Sequence, residues 1–254
     1  SVLRIARSRL PEAPLLVSSA MGSTTDELLA VARAAQSGDR EHAFSLLGTL
    51  RAMHLREAEA LIGPNGRDAV KRAIGLLLDE LEGLVQGVYL IRECSPRSHD
   101  AILSFGERLS TLLIAAAARE ARIDAELLDA RELVATSSDF GEAAPDMRAT
   151  ATRIHARVRP RPDHLYVTQG FIGSSENGVT TTLGRGGSDY SATIFGAVLG
   201  AERVEIWTDV DGIMTSDPRM IAGASSLASI SYEEAAELAY FGARVVHPST
   251  ISPA

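Results

Sequence analysis

Cysteine is nearly missing from these 254 residues: Cys94 stands alone. That excludes an internal disulfide and any zinc site built on several thiolates, and it fits a reducing compartment. Long apolar runs are missing too. The longest, Leu109 to Ala118, carries Ser110 and Thr111 and falls well short of the roughly 18 to 20 residues of a spanning helix, so it reads as a buried helix. Basic charge is in the minority, with 25 Lys and Arg against 33 Asp and Glu for a net charge of -8. Nucleic acid would then need a local basic patch, and none is seen; neither a nucleic-acid nor a membrane partner is expected. The N-terminus lacks the charged and apolar regions of a secretory signal, which makes the cytoplasm the expected location, although removal of a transit peptide before Ser1 is compatible with the same residues. There is no Gly-x-x-x-x-Gly-Lys-Ser/Thr loop, no protein-kinase motif set, no His-Glu-x-x-His and no Gly-x-Ser-x-Gly. His247-Pro248 reads as a turn, and His42, His54, His99, His155 and His164 show no ligand spacing, so no metal site of protein ligands is expected.

What is present is an ordinary globular composition, 45% hydrophobic and 23% charged, long enough for one large domain or two small ones. In the first third, Leu15-Leu16-Val17 is a short apolar run followed by a small-residue loop through Gly22. Ser23 and Thr24 stand three residues before Asp26 and Glu27, and either pair can form a capping box. Leu28, Leu29, Val31, Ala32 and Ala35 continue at helical spacing to a stop at Gly38. Such a strand, loop and helix N-terminus can hold an anion. Further helices are predicted over about 41 to 61 and 67 to 88, separated at Gly63-Pro64, and from near Pro96 to about Ala121, where Gly106 marks a break or a close approach.

The second half alternates short strands with helices, the pattern of a mainly parallel sheet covered on both faces. Strands are predicted at Ala125 to Leu128, Leu165 to Gln169 and Val204 to Trp207, with a hairpin signal at Asn177-Gly178. A helix capped by Ser188 or Asp189 runs to Gly200, and another begins at Ser231 with Glu234 and ends near Gly242. Pro145 and 160–162 read as loop edges.

Three clusters can carry chemistry. In 180–189, Gly184, Gly186 and Gly187 let backbone approach a ligand while the following helix aims its N–H groups at the same space. There Arg185 offers a fork for a carboxylate and Asp189 can orient a neighbour; a flexible loop ahead of a helix accounts for the same residues. In 207–219, Thr208 and Asp209 follow a predicted buried strand and Arg219 can neutralise phosphate, against the alternative of a solvated turn at Asp211-Gly212. Glu107 is a carboxylate in an apolar stretch, paired either by a ligand ammonium or by a local arginine such as Arg108 or Arg97.

Taken together, SSAMGSTTDEL (18–28), SFGERLSTL (104–112), TQGFIG (168–173), TTTLGRGGSD (180–189), WTDVDG (207–212) and FGARVVHP (241–248) resemble, in order and spacing, the aspartate kinases of the amino-acid kinase family. The resemblance implies a three-layer α/β/α sandwich with a mainly parallel central sheet. It would be a single, incomplete domain with an aspartate-binding part over about 1–190 and a nucleotide-binding part over about 191–254. It implies in-line transfer of the γ-phosphoryl group from ATP with Mg²⁺ to the β-carboxylate of L-aspartate, with a homodimer as the assembly. By the same carry-over, Thr24 and the Ser19 to Gly22 loop lie near the aspartate side chain and phosphate, and Glu107 takes the ammonium. Arg185 takes a carboxylate beside Gly186, Gly187, Ser188 and Asp189, with Arg185 and Asp189 as the catalytic pair. Thr208, Asp209, Met214, Arg219, Arg244 and Val245 surround the nucleotide.

This chain departs from the family pattern at Met214, often tyrosine, and at Arg244, often lysine. Family members also open with a Lys-Phe-Gly-Gly-Thr-Ser loop whose lysine touches the transferred phosphoryl group. Ser1-Val2 begins without it, and the chain stops before the last strands and regulatory domains, so weak or no turnover is expected of these residues by themselves. A kinase for glutamate or acetylglutamate, and a ligand-binding remnant without turnover, are the rival readings.

Overall fold

The computed structural model describes residues 2–208, 212–215, 221, 223–240 and 250. In chain order its elements are α1 (Val2–Arg9), a 3-10 turn (Leu10–Glu12), β1 (Leu15–Ser18), α2 (Thr24–Ser37), α3 (Arg40–Leu61), α4 (Pro64–Ile91) and α5 (Pro96–Glu120). There follow β2 (Asp124–Leu128), α6 (Ala130–Leu133), β3 (Ala135–Thr136), α7 (Met147–Arg157), β4 (His164–Gln169), β5 (Ile172–Ser175), β6 (Thr180–Thr182), α8 (Gly187–Leu199) and α9 (Tyr232–Tyr240).

Local chemistry accounts for the helix boundaries. Gly38, at φ +85°, closes α2 with its N–H on the Ala34 and Ala35 carbonyls. Asp39 then caps α3 by accepting from the His42 N–H at 3.0 Å. Pro64 starts α4 three residues earlier than the predicted start, because a proline at the first helical position gives up an N–H that has no partner there anyway. Ser95 and Pro96 open α5 in the same manner, with Ser95 accepting from the Ser98 N–H. At the far end, Ser231 and Glu234 form the predicted reciprocal box ahead of α9, each side chain accepting the other's N–H at 3.0 and 3.1 Å. The predicted end of that helix near Gly242 lies outside the described residues.

Strands β1, β4 and β2 form a parallel sheet in the order β1-β4-β2. The pleat sorts β4 between two helical layers. Leu165 and Val167 pack with Ala125 against Ala115 and Ala118 of α5 and Ala6 of α1, whereas Tyr166 packs with Leu128 against Ile154 of α7 and Phe195 of α8. The expected α/β/α sandwich is thus present. A third cluster, built from α2, α3, α4 and α5 around Leu28, Leu50, Ile74, Leu81, Phe105 and Leu109, lies on the α5 side. By length and hydropathy α5 would span a bilayer, yet most of it is buried within the fold and it carries Asp100 and Glu107 inside. A second sheet, β3-β5-β6, pairs β5 parallel to β3 and antiparallel to β6 across the Asn177-Gly178 turn, where Gly178 has φ +71°.

Three expectations are corrected. Val204 to Trp207 joins no ladder among the described residues. An open cavity lies between it and the edge of β1, and Glu205 is held instead by Arg9, Arg203 and the Trp207 indole N–H. Ser23 begins α2 without capping it, since its hydroxyl donates to Glu27 Oε1 at 2.8 Å. Gly186, at φ +70°, is the residue that enters α8, which leaves Ser188 and Asp189 in the first turn. The unforeseen elements include α1, short and rich in arginine, the short pieces 10–12, α6 and β3, and α7, whose polar face hides a stripe limited to Thr150 and Ile154.

Candidate active site

Ser18 of β1 and Gln169 of β4 stand side by side at the carboxyl ends of their strands, where open parallel sheets bind ligands. The Gly170 N–H donates to the Ser18 carbonyl at 2.9 Å and ties the two departing loops. Beyond β4 the chain turns at Phe171, φ +65°, whose N–H donates to the Ser191 hydroxyl at 2.9 Å and whose carbonyl accepts from Leu183 at 2.8 Å. These bonds seat the first turn of α8 on the end of β4. The fit is close enough that a Cβ on Gly170 would come within 2.8 Å of Ser188 Cα.

Glu107 projects from the middle of α5 toward the loop after β1. It is 3% exposed, and Oε1 accepts from the Ala20 N–H at 3.1 Å while Oε2 is buried with no partner. Burial pushes its pKa up to about 7 against the lowering effect of the Ala20 amide. The local-arginine alternative fails, because Arg108 is turned outward to Glu80 at 2.8 and 3.2 Å and lies over the Phe105 ring. Gly106 makes no break in α5. It permits a close approach: a Cβ there would stand 2.8 Å from Ala20 Cβ and 3.5 Å from Thr24 Cγ2. Thr24 itself is fully buried and donates its hydroxyl to the Met21 carbonyl at 2.6 Å, which fixes the 19–22 loop. We expect Gly106→Ala to lower the affinity for the site's ligand by about tenfold or more. Helix propensity favours alanine by about 1 kcal/mol, but overpacking against Ala20 costs about 1 to 3 kcal/mol and moves the amide that Glu107 holds. Calorimetric titration beside a melting curve checks this.

Arg185 is exposed between Gly184 and Gly186, both at positive φ, and it has no hydrogen bond or ion pair among the described residues. It is therefore free to meet an anion. The one lysine among the 254 residues, Lys71, pairs with Glu59 between α3 and α4. Ser188 and Asp189, in the first turn of α8, face Ser18 and Ser19 across a cleft of about 570 Å³ that also runs along β1 and Phe195 to Ile206 and Trp207. Half-burial raises the Asp189 pKa. Among the described residues no three His, Cys, Asp or Glu side chains gather as a metal cluster.

The sequence-predicted residues therefore divide. Ser19, Thr24 and Glu107 are gathered around Ala20, and Gly187, Ser188 and Asp189 abut Gly170 and the cleft. Thr208 is exposed next to Trp207, and Met214 bridges Ser226 in a short antiparallel contact. Asp209, Arg219, Arg244 and Val245 lie outside the described residues. Two buried groups escaped the sequence reading. Gln169 donates Nε2–H to the Thr111 hydroxyl and accepts from the Ala130 N–H, both at 2.7 Å, and Asp100 accepts from the segment that precedes Arg185. A polar residue ending a buried strand was the available signal for the first, and a seven-residue spacing from Glu107 along one helix for the second.

Known proteins resemble this chain in sequence and in fold. The sequence matches the amino acid kinase family over residues 3–254. It is 41% identical over 241 residues to lysine-sensitive aspartokinase 3 of Escherichia coli, covering 94% of this chain and 52% of that protein. It is 36% identical over 250 residues to chloroplastic aspartokinase 1 of Arabidopsis thaliana, covering 96% and 43%. A crystal structure of E. coli aspartokinase III in complex with aspartate and ADP superposes with a TM-score of 0.90 at 39% identity, over 99% of this chain and 54% of that one. This chain spans about half the length of the relatives it matches. On a match that runs through nearly its whole length, the chain belongs to the amino acid kinase family.

Proposed function

We propose that this chain carries the catalytic site of an aspartate kinase. It would transfer the γ-phosphoryl group of ATP to the β-carboxylate of L-aspartate, giving 4-phospho-L-aspartate, the first step toward lysine, threonine and methionine. The observation that carries the reading is Glu107 Oε2, a buried carboxylate oxygen without a partner beside a loop built from small residues. Such a group calls for a buried cation, and an amino-acid ammonium is one. The aspartate and ADP bound in the E. coli aspartokinase III structure support the same reading.

In this mechanism Glu107 takes the ammonium and Arg185 grips the α-carboxylate with two parallel hydrogen bonds. Ser19 and Thr24 shape the side-chain end, while Gly186, Gly187 and Ser188 turn the N-terminus of α8 and its positive dipole end toward the developing phosphate charge. Asp189, in the same turn, orients the groups around it. A carboxylate is already a nucleophile and needs no general base, so catalysis here is alignment and suppression of anion repulsion. Magnesium, when it accompanies the nucleotide, neutralises phosphate charge. The chain's contribution fits an ion that keeps most of its ligands from phosphates and water, since Asp189 is the carboxylate of α8 on the cleft and, among the described residues, no three His, Cys, Asp or Glu side chains gather as a metal cluster.

Thr208, Asp209, Met214, Arg219, Arg244 and Val245 are our proposed nucleotide contacts, with the aspartate part over about 1–190 and the nucleotide part over about 191–254. A homodimer in the cytoplasm completes the proposal, and the lone half-buried Cys94 fits that reducing setting. The test is calorimetric titration of this chain with L-aspartate and L-glutamate, beside coupled detection of ADP release. L-Aspartate is expected to bind at least about tenfold tighter, a difference of about 1.4 kcal/mol. Preference for glutamate, or binding of neither, would overturn the assignment.

A further inference from the structure

Asp100 is fully buried two helical turns before Glu107, so both carboxylates project from one face of α5. Its three acceptor contacts all go to chain that is distant in sequence. Oδ2 accepts from the Gly141 N–H at 2.9 Å and the Thr182 N–H at 2.8 Å, and Oδ1 accepts from the Thr182 hydroxyl at 2.9 Å. Thr182 ends β6, three residues before Arg185. Gly141 belongs to the segment that packs on the loop: the Ala143 N–H donates to the Thr182 carbonyl at 2.9 Å, and a Cβ on Gly184 would meet the Gly141 carbonyl at 3.2 Å. Asp100 thus joins α5, the 137–146 segment and the end of β6 at the point where the glycine loop departs.

We propose that Asp100 is a positioning residue for the amino-acid site: it sets the distance between the Arg185 loop and the helix that bears Glu107. This rests on reading Glu107 and Arg185 as the two ligands of one zwitterion. A zwitterion's ammonium and carboxylate are separated by fixed bonds, so the protein groups that bind them must be held at one separation. Asp100 supplies that hold from the same rigid element as Glu107, whereas Arg185 sits on an exposed turn between two positive-φ glycines; the Gly187 N–H donates to the Gly184 carbonyl at 3.0 Å and closes that turn, but this bond does not tie it to α5. An apolar residue at position 100 would leave the buried Thr182 N–H and the partly buried Gly141 N–H without their acceptor and free the base of the loop.

The experiment compares the chain with Asp100→Ala, Asp100→Asn and Thr182→Val by amide hydrogen exchange and by titration with L-aspartate. Asparagine can still accept from both N–H groups and donate to the Thr182 hydroxyl, so it is the rescuing variant. In Asp100→Ala, exchange at 180–187 and at Gly141 is expected to quicken by about tenfold or more while α2 to α4 stay protected, and the aspartate dissociation constant to rise by about tenfold or more. Asp100→Asn should restore both readouts, and Thr182→Val should give a smaller shift of each. Unchanged exchange at 180–187 in Asp100→Ala overturns the inference whether or not a ligand binds. A loosened loop with unchanged affinity overturns it as well. Failure of the unaltered chain to bind aspartate overturns the kinase assignment, and the exchange readout still decides the role of Asp100.

Discussion

Glutamine at position 107 is expected to weaken L-aspartate binding by about 100-fold or more and, at pH 8, to raise the stability of the ligand-free protein. Both effects come from the same buried carboxylate. Removing one partner of a desolvated, hydrogen-bonded charge pair costs about 2 to 5 kcal/mol, and Glu107→Gln keeps the shape while removing the charge that the ammonium meets. Without ligand, that charge has one hydrogen bond, from the Ala20 N–H, and an orphaned oxygen. The pH dependence follows from a folded pKa raised from 4.5 to about 7. Below 4.5 the carboxyl is protonated in both states and its contribution is fully present. Between 4.5 and about 7 the folded protein keeps a proton that the unfolded chain has lost, so stability falls as pH rises through that window. Above it the loss is complete, roughly 3 kcal/mol at most. Glutamine does not ionise, so the variant's stability relative to the parent should grow from pH 5 to pH 8, read from denaturant midpoints. Saturating L-aspartate should close that gap by stabilising the parent alone.

Substitution of Arg185 should separate charge from geometry. Arg185→Ala is expected to weaken aspartate binding by about 100-fold and Arg185→Lys by about tenfold, because an ammonium keeps the charge but cannot offer two parallel donors to a carboxylate. Neither variant should move the melting temperature, since Arg185 is exposed and pairs with nothing among the described residues. Affinity lost in step with stability, or lysine behaving as arginine, would count against a bidentate role.

How legible the protein was in its sequence depended on whether the governing interaction was local. Gly38, Gly63-Pro64 and Ser95-Pro96 act within one turn of the chain, and the helices they bound are present within a few residues of their predicted limits. The Asn177-Gly178 hairpin is local in the same sense. Val204 to Trp207 has strand composition, but a strand also needs a neighbouring edge, and the open cleft beside β1 takes that neighbour away. Gly186 displaced Ser188 and Asp189 from the cap because the left-handed conformation that enters α8 suits glycine, and side-chain capping preferences say nothing about that requirement. At the site, a carboxylate in an apolar helix already pointed to Glu107. Its free oxygen did not show in sequence, because it depends on Arg108 turning to Glu80, 28 residues away. Asp100 was harder still, with donors 41 and 82 residues distant.

The most direct test of the account is a carbon-13 NMR titration of the Glu107 carboxyl with and without saturating L-aspartate. A site built for an ammonium predicts an apparent pKa of about 7 in the free chain. It should fall by about one unit or more when the ligand cation arrives. A pKa that starts near the ordinary glutamate value, or that does not move on adding aspartate, would contradict the role assigned to Glu107 and with it the amino-acid site.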